Sequence, residues 1–433
     1  MNYSESLDRI IFFIQSKYMK KILIYWRGKV GQSLAHFCDL INYEYEICDD
    51  SDAPENLDIF DSIVPSPGIP SSHKIYESWK ITSELDFLFP YIPSSFQIHA
   101  ITGTDGKSTT SWILYNFLKS GLPDLPVYIG GNFGTPLAEI IANIKTLEQK
   151  NGHIVLEVSS FMAYHIEKFT AHNSILTNLH PDHLDWHKNL HEYYYAKLNL
   201  LGHTKETILY PKSALTSFPE LIDFPINSIV LPDDIIQITD GILQLREELF
   251  LDISERQLYG AHNLKNIFVS ALLAVQLWIP VKKLSEILKE IPALPHRLQK
   301  VSEKNQRIWI DDSKSTTAQS LYAALWAFSP KKVHLIAWWK DKWDPFENLA
   351  ENLAQHCIQC VTLGETKHIF LQAAHDAFIP GIPAATMSEA VQYLMQNSSA
   401  DDIILLSPWC SSFDMFKNYE ERAQQFVEAI SQN

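Results

Sequence analysis

Eight residues, Thr102-Gly103-Thr104-Asp105-Gly106-Lys107-Ser108-Thr109, stand between an apolar run ending at Ile101 and a helical pattern that continues to Leu118. A glycine-rich turn from strand into helix offers backbone N–H groups and a helix N-terminus to an anion. The lysine adds a point charge, and the Ser108 or Thr109 hydroxyl can hold Mg²⁺. The spacing departs from the standard phosphate loop, because Ile101 rather than glycine stands five residues before Gly106. The plain alternative is a strand-to-helix turn with a solvated lysine. A strand that enters a helix in this way belongs to an α/β sheet, and the chain repeats the pattern. KILIY precedes GQSLAHFCDLI, and HIVLEVSS follows a further helical stretch. The alternation predicts an α/β fold with mostly parallel sheets.

At 433 residues the chain has room for two to four domains of about 100–200 residues. Pro- and Ser-bearing joints at Tyr91 to Ser95 and Ala293 to His296 set the expected boundaries. These give an N-terminal extension over 1–18 and domains over 19–91, 92–295 and 296–433. The first strand starts within MKKILIY, so the extension carries no chemistry. Its longest apolar run, Ile10 to Ile14, is too short to span a bilayer, and Asp8 spoils the basic start of a signal peptide. Lys plus Arg minus Asp plus Glu is 35 − 51 = −16. That charge argues against nucleic acid or an anionic membrane as the main partner, and leaves open an anionic small molecule held by local cations. The five cysteines, Cys38, Cys48, Cys357, Cys360 and Cys410, fit a reducing cytoplasm better than a disulfide framework.

Other residues could carry chemistry. Asn178, His180, Asp182, His183, Asp185, His187 and His191 cluster along the chain. Oxygen ligands with imidazole suit Mg²⁺ or Mn²⁺, spacing alone leaves zinc open, and a polar surface turn is an equal alternative. Glu157 ends an apolar run, where α/β sheets place ligand groups; a hydrogen-bonding role is the alternative. Cys357 and Cys360 lack a second pair and read as core residues at a helix end. Asp311-Asp312-Ser313-Lys314 follows RIWI as a nucleotide contact or an ordinary N-cap. Asp49 and Asp50 follow YEIC, the place of the acidic residue in a dinucleotide fold.

Further segments extend the series. Tyr128-Ile129-Gly130-Gly131-Asn132-Phe133-Gly134 and Leu156-Glu157-Val158-Ser159-Ser160-Phe161 lie in the middle, as do Thr177-Asn178-Leu179 through Asp182-His183-Leu184-Asp185 and then Tyr195-Ala196-Lys197. Gly260-Ala261-His262-Asn263 with Asn266, then Leu294-Pro295-His296-Arg297 and Asp312-Ser313-Lys314-Ser315-Thr316, come later. Leu406-Ser407-Pro408 leads to Phe413-Asp414-Met415-Phe416-Lys417-Asn418-Tyr419-Glu420-Glu421-Arg422. In this order the segments resemble the Mur ligase family, most closely its D-glutamate-adding branch, over about residues 19 to 430. The phosphate loop resembles the family's GTNGKS/T, with Asp105 for the usual Asn, and Met162 stands where Gln is common.

The resemblance implies a Rossmann-like N-terminal domain for a UDP-sugar, a central P-loop-type ATPase domain and a Rossmann-like C-terminal domain for the amino acid. It implies a monomeric cytoplasmic enzyme that uses ATP to join D-glutamate to UDP-N-acetylmuramoyl-L-alanine through an acyl phosphate. Other readings are a sister Mur or folylpolyglutamate-type ligase, or a non-catalytic nucleotide-binding protein of the same fold. By resemblance, Lys107, Glu157, His183 and Lys197 are catalytic. Ser108 and Glu157 hold one Mg²⁺, and His183 holds a second near Lys197, which is carbamylated. Gly103, Thr104, Gly106, Lys107, Ser108, Thr109, Asn263, Asn266, Arg297 and Asp312 contact ATP. Asp49, Ser66, Gly68, Asn132, Asn178, Lys314, Thr316, Lys342, Ser412, Phe413 and Tyr419 contact the other substrates.

Glycine accounts for only 15 residues while tryptophan reaches 11, and a usual glycine share is about 7%. In the resemblance, Trp26, Trp79, Trp278, Trp338, Trp339 and Trp343 fall on glycine positions, and Trp409 on a small residue. Drift between the bulkiest side chain and none at several tight turns is physically implausible. The expectation is that UGA codons read as glycine in the source stand here as Trp, whereas Trp112 and Trp309 read as genuine aromatics.

Overall fold

The computed structural model describes residues 21–184, 186–217, 227–231, 238–246, 249–315, 318–338, 348–364, 367–408, 416 and 418–432. The extension over 1–18 and Asp185, Thr316, Trp339, Lys342, Trp343, Trp409, Cys410, Ser412 and Phe413 lie outside them. The chain divides into two compact units, Met1–Gln237 with Asn266–Leu284, and Ile238–Lys265 with Ser285–Asn433.

The first unit opens with β1 (Lys21–Tyr25), α1 (Lys29–Ile41), β2 (Glu44–Cys48), β3 (Ser62–Pro65) and the short helix α2 (Glu84–Leu88). The three strands form a parallel sheet ordered β2-β1-β3. There follow β4 (Ser95–Thr102), α3 (Lys107–Gly121), β5 (Val127–Gly131), α4 (Leu137–Thr146), β6 (Asn151–Glu157) and α5 (Ser160–Ala163). Then come β7 (Ala171–Leu176), α6 (Leu190–Gly202), β8 (Thr204–Pro211) and β9 (Asn227–Leu231). These strands make a fully parallel sheet ordered β5-β6-β4-β7-β8-β9. Its central strands are buried on both faces, as a sheet covered twice by helices requires, with His99, His153 and Asn173 among the buried side chains. Asp86 fastens α2 to the segment before β7: its carboxylate accepts the backbone N–H groups of Glu167, Lys168 and Phe169 at 2.8, 2.9 and 2.7 Å.

Register places the chemistry. Ile101 pairs with Glu157 across β4 and β6, and Thr102 pairs with Leu176 across β4 and β7. The carboxyl ends of three adjacent strands therefore open side by side, where parallel α/β sheets bind ligands.

The second unit holds a small antiparallel sheet of β10 (Ile238–Thr239), β11 (Ile242–Arg246) and β12 (Leu249–Asp252). Helix α7 (Ala261–Gln276) spans the division of the chain, and α8 (Val281–Glu290) follows. The remaining strands are β13 (Gln299–Lys304), β14 (Arg307–Asp311), β15 (Val333–Trp338), β16 (Cys357–Leu363), β17 (Gly381–Pro383) and β18 (Ile403–Leu406). They form a sheet ordered β13-β14-β18-β15-β16-β17, antiparallel only between β13 and β14. Among its helices is α9 (Tyr419–Gln432). Cys357 and Cys360 are buried as expected; Cys357 caps the end of the helix over Leu349–His356 and opens strand β16, which Cys360 continues. The run Cys-Val-Thr-Leu is β-rich and continues Cys357 into the sheet.

The tryptophans divide. Trp26 and Trp278 have φ of 102° and 68°. Trp309 and Trp338 are fully buried, and Trp338 packs on Phe416 with ring centroids 4.7 Å apart. The structure thus accommodates Trp338 as a core residue, contrary to its expected place at a glycine turn.

Candidate active site

The loop from β4 to α3 is built by its neighbours. Gly103 has φ 141°, and a Cβ there would lie 1.9 Å from Thr177 Oγ1. Only glycine fits. Asn178 braces the loop, its Oδ1 accepting the N–H groups of Thr104 (3.2 Å) and Asp105 (2.9 Å) while its Nδ2 donates to the Asp105 carbonyl (3.1 Å). Thr104 Oγ1 lies 3.0 Å from both the His180 carbonyl and the Tyr193 hydroxyl. Gly106 enters α3 in the left-handed region, with no side chain capping the helix. An uncapped helix N-terminus beside a lysine is an anion site. Lys107 Nζ curls over the loop, donating to the carbonyls of Gly103 (2.9 Å) and Thr104 (2.7 Å). Ser108 and Thr109 occupy the first turn, and Asn266 Oδ1 on α7 accepts from Thr110 Oγ1 at 3.1 Å.

Glu157 ends β6 almost fully buried. Its Oε1 accepts from Asn132 Nδ2 at 2.7 Å, and its Oε2 is buried without a hydrogen-bond partner. A buried carboxylate oxygen without a donor is costly unless a cation meets it. Lys197 on α6 is equally buried; its Nζ donates to the Gly103 carbonyl at 2.8 Å and lies 4.5 Å above the Tyr193 ring. Burial, then repulsion from Lys107, drives its pKa well below the usual lysine value. A neutral amine there is the form that can take up carbon dioxide as a carbamate. His183 has φ 53°, and its ring turns toward Asp182 at 3.4 Å. His187 is buried, and His191 stacks on Tyr195. His183 and His187 thus share the Phe161 ring, while His191 turns to a different neighbour.

Among the described residues, no group of three His, Cys, Asp or Glu side chains is arranged to hold a metal alone. A divalent cation here would share Glu157 and the Ser108 hydroxyl with the oxygens of a bound phosphate chain, which is usual for Mg²⁺. The lone Glu157 oxygen and the uncapped α3 fit that pairing of Mg²⁺ with a nucleotide.

In the N-terminal sheet, Asp49 pairs with Arg27 at 2.8 Å, and Asp50 accepts from Tyr25 Oη at 2.7 Å and faces His73 Nε2 at 3.0 Å. Ser66 N–H donates to the Tyr25 carbonyl at 2.9 Å, and Gly68 is exposed beyond it.

In the second unit, Asn263 Nδ2 donates to the Tyr259 carbonyl at 2.6 Å. Asp312 is buried, accepting from Ser407 Oγ (2.8 Å) and Leu298 N–H (3.2 Å); burial nevertheless pushes its pKa up to about 7. His296 meets Asp311 at 2.7 Å and the Tyr419 ring, over which Lys314 Nζ sits at 5.6 Å. Arg297 is exposed beside them.

The Mur ligase middle domain family matches residues 101–215. The chain is 32% identical over 422 residues to the UDP-N-acetylmuramoylalanine--D-glutamate ligase of Aquifex aeolicus, covering 95% of this chain and 98% of that protein. It belongs to the Mur ligase family. The like-named protein of Clostridium tetani is 31% identical over 394 residues, 87% of this chain and 84% of its own length. The fold matches UDP-N-acetylmuramate-alanine ligase MurC from Thermotoga maritima with a TM-score of 0.59 at 16% identity, over 96% of this chain and 100% of that one. MurF ligase from Thermotoga maritima in complex with ADP gives a TM-score of 0.57 at 16% identity, covering 96% of each chain.

Thr177 stands at the head of a segment that resembles the Mur ligases but received no role, and Tyr193 lies outside the motifs. Thr177 directly follows β7 and faces Gly103. Tyr193 stands four residues before Lys197, one helical turn away, and that spacing was its available signal.

Proposed function

We propose that the chain is an ATP-dependent ligase that joins D-glutamate to UDP-N-acetylmuramoyl-L-alanine in peptidoglycan precursor synthesis. The observation that carries this reading is the likeness to the Aquifex aeolicus ligase over nearly the full length of both proteins. The phosphate loop, the lone Glu157 oxygen and the buried amine of Lys197 support it. A carboxylate is a poor electrophile, so amide formation requires its activation. The γ-phosphoryl group of ATP passes to the alanyl carboxylate, giving an acyl phosphate and ADP. The D-glutamate amine attacks the acyl carbon, and phosphate leaves as the tetrahedral intermediate collapses.

Two anions approach in the first step, so positive charge must gather between them. Lys107 and the α3 N-terminus hold the phosphate chain, while Asn178 keeps their loop in shape. Ser108 and Glu157 would hold one Mg²⁺ and His183 a second, which would supply neutralisation of phosphoryl charge. Lys197, as a carbamate, would offer that second ion an oxygen ligand. Asn263, Asn266, Arg297 and Asp312 serve the nucleotide, with Asp312 acting through its buried contacts. Domain 19–91, with Asp49, Ser66 and Gly68, receives the UDP-sugar, while Asn132 lies toward the reacting end. Domain 92–295 carries ATP, and domain 296–433 brings D-glutamate through Lys314 and Tyr419, with Thr316, Lys342, Ser412 and Phe413. The enzyme acts as a cytoplasmic monomer; among the described residues, no helix is long and apolar enough to cross a membrane.

Phosphate release with UDP-N-acetylmuramoyl-L-alanine, ATP and a panel of amino acids tests the reading. Release is expected with D-glutamate. Release with L-lysine or meso-diaminopimelate instead would assign a sister ligase, and none with any amino acid would favour a binding protein. Lys197→Ala is expected to be nearly inactive and partly rescued by acetate.

A further inference from the structure

A buried chain of side chains in the first unit is used by none of these steps. His187 is 1% exposed, and its Nε2 shares a 2.9 Å hydrogen bond with Ser160 Oγ. Its backbone N–H donates to the His183 carbonyl at 3.0 Å, and the Trp186 N–H does the same at 3.1 Å. The turn that starts at His183 is therefore fastened, at its far end, to a residue three positions beyond Glu157. The Phe161 ring packs on both His183 and His187, at centroid distances of 4.8 and 5.7 Å. On the other side of His187, Nδ1 lies 3.8 Å from Glu192 Oε2. Glu192 accepts the Lys188 N–H at 2.7 Å and the Tyr164 hydroxyl at 2.5 Å. Ser71, from the segment that follows Ser66 and Gly68, brings its Oγ to 3.4 Å from Glu192 Oε2 and 3.1 Å from the Trp186 carbonyl.

We propose that His187 is a positioning residue. Through Ser160 it fixes the separation of Glu157 and His183, the side chains assigned to different Mg²⁺ ions. Glu192 and Ser71 tie that setting to the N-terminal sheet. Groups that orient a metal ligand commonly change metal affinity about 10–100-fold when lost, because the ligand must otherwise be ordered at the moment of binding. Packing alone needs only a ring at 187; orientation needs its nitrogen as well. The kinetic consequence rests on the ligase reading, and the metal-binding consequence rests on the part of it that assigns Glu157 and His183 as metal ligands.

Three variants of the full chain separate these roles. His187→Phe keeps the ring and removes the nitrogen, His187→Gln keeps a nitrogen near Nε2, and Ser160→Ala removes the partner. Mn²⁺ binding in the presence of ADP is measured by calorimetry, beside thermal melts and phosphate release. His187→Phe and Ser160→Ala are expected to stay folded, weaken Mn²⁺ binding about tenfold and lower kcat with little change in KM for ATP. His187→Gln should recover most of both. Wild-type Mn²⁺ affinity in folded His187→Phe, or in Ser160→Ala where the first variant does not fold, overturns the proposal. Equal losses in the Gln and Phe variants also overturn it, since bulk alone would then explain the position. Failure of the wild type to release phosphate with D-glutamate would remove the ligase reading and leave the Mn²⁺ comparison decisive for His187.

Discussion

Strand β4 passes into α3 through Gly103 and Gly106, and strand β1 passes into α1 through Trp26, Gly28 and Gly31. Both turns bend sharply enough to need backbone angles that L side chains avoid. In the first, the residues with φ of 141° and 79° are glycines. In the second, φ of 102° falls on Trp26, whose N–H donates to the Cys48 carbonyl at 2.7 Å. The approach is close as well, since a Cβ on Gly31 would lie 2.1 Å from the Trp26 carbonyl oxygen. Local residue choice agrees with backbone shape in one turn and conflicts with it in the other. Such conflict is evidence about the sequence rather than about the fold.

The largest expected effect tests whether the well-formed turn is chemical as well as structural. Lys107→Ala should lower phosphate release by about a thousandfold, in the range seen when charge stabilisation at a transferring group is lost. Its melting temperature should stay within about 2 °C, because the helix dipole opposes a lysine in the first turn and such a residue rarely stabilises a domain by much. Wild-type turnover in that variant would reduce the turn to scaffolding.

Gly103→Ala comes next. The new methyl meets Thr177 Oγ1 at a positive φ, and we expect a loss of about 1–3 kcal/mol in urea denaturation. Trp26→Gly should move the other way, gaining stability of similar size and tightening UDP-sugar binding. Equal and small effects at both positions would dissolve the contrast between the turns.

Acid offers a smaller test. Beneath the phosphate loop, His99 on β4 is fully buried, its Nε2 3.0 Å from His153 Nδ1 and its Nδ1 accepting from Asn173 at 3.2 Å. Burial, then the neighbouring His153 and His172, holds its pKa well below the usual value. The folded state thus keeps His99 neutral where the unfolded chain takes up a proton below about pH 6.5. Stability is full above that pH and falls beneath it, by up to about 1.4 kcal/mol per pH unit for such a group. Hydrogen exchange should show β4 amides losing protection between pH 7 and 5.5 ahead of β1 amides. The reverse order would contradict the assigned protonation.

The sequence made the central sheet and its loop legible because both are local: an apolar run, a glycine pair and a helix pattern lie within about twenty residues. Glu157 was legible from its place at a strand end. Asn178 was visible as a polar residue, but its hydrogen bonds to Thr104 and Asp105 depend on register between β4 and β7, across 73 and 74 residues of chain. Lys197 gave no sign of burial in an amphipathic helix, and only the Mur resemblance marked it. Cys357 was legible as the end of a helix, but that Cys360 continues from it into a strand was not, because a short apolar run has no distinctive period.

The smallest effect concerns Trp278. Its N–H donates to the Val275 carbonyl at 3.0 Å, and that of Ile279 donates to the Ala274 carbonyl at 3.1 Å, the hydrogen bonds of a helix end that places a left-handed residue between them. That residue is most often glycine, yet here it is tryptophan at φ 68° and 91% exposed. The indole packs against little, so Trp278→Gly removes few contacts and relieves a left-handed residue of its Cβ, for a gain of about 1 kcal/mol. Trp79, 86% exposed without a positive φ, should change little on the same substitution. Trp338→Gly should be destabilising by several kcal/mol, because it empties a buried site against Phe416. The gene separates the two explanations of this pattern. UGA at codons 26 and 278 would mean that glycine stands there in the source, and a peptide from that source would be lighter by the difference between the two residues. UGG at both codons would make the strain at Trp26 and Trp278 a property of the natural chain, and the recoding reading would then fall even if Trp278→Gly raised the melting temperature.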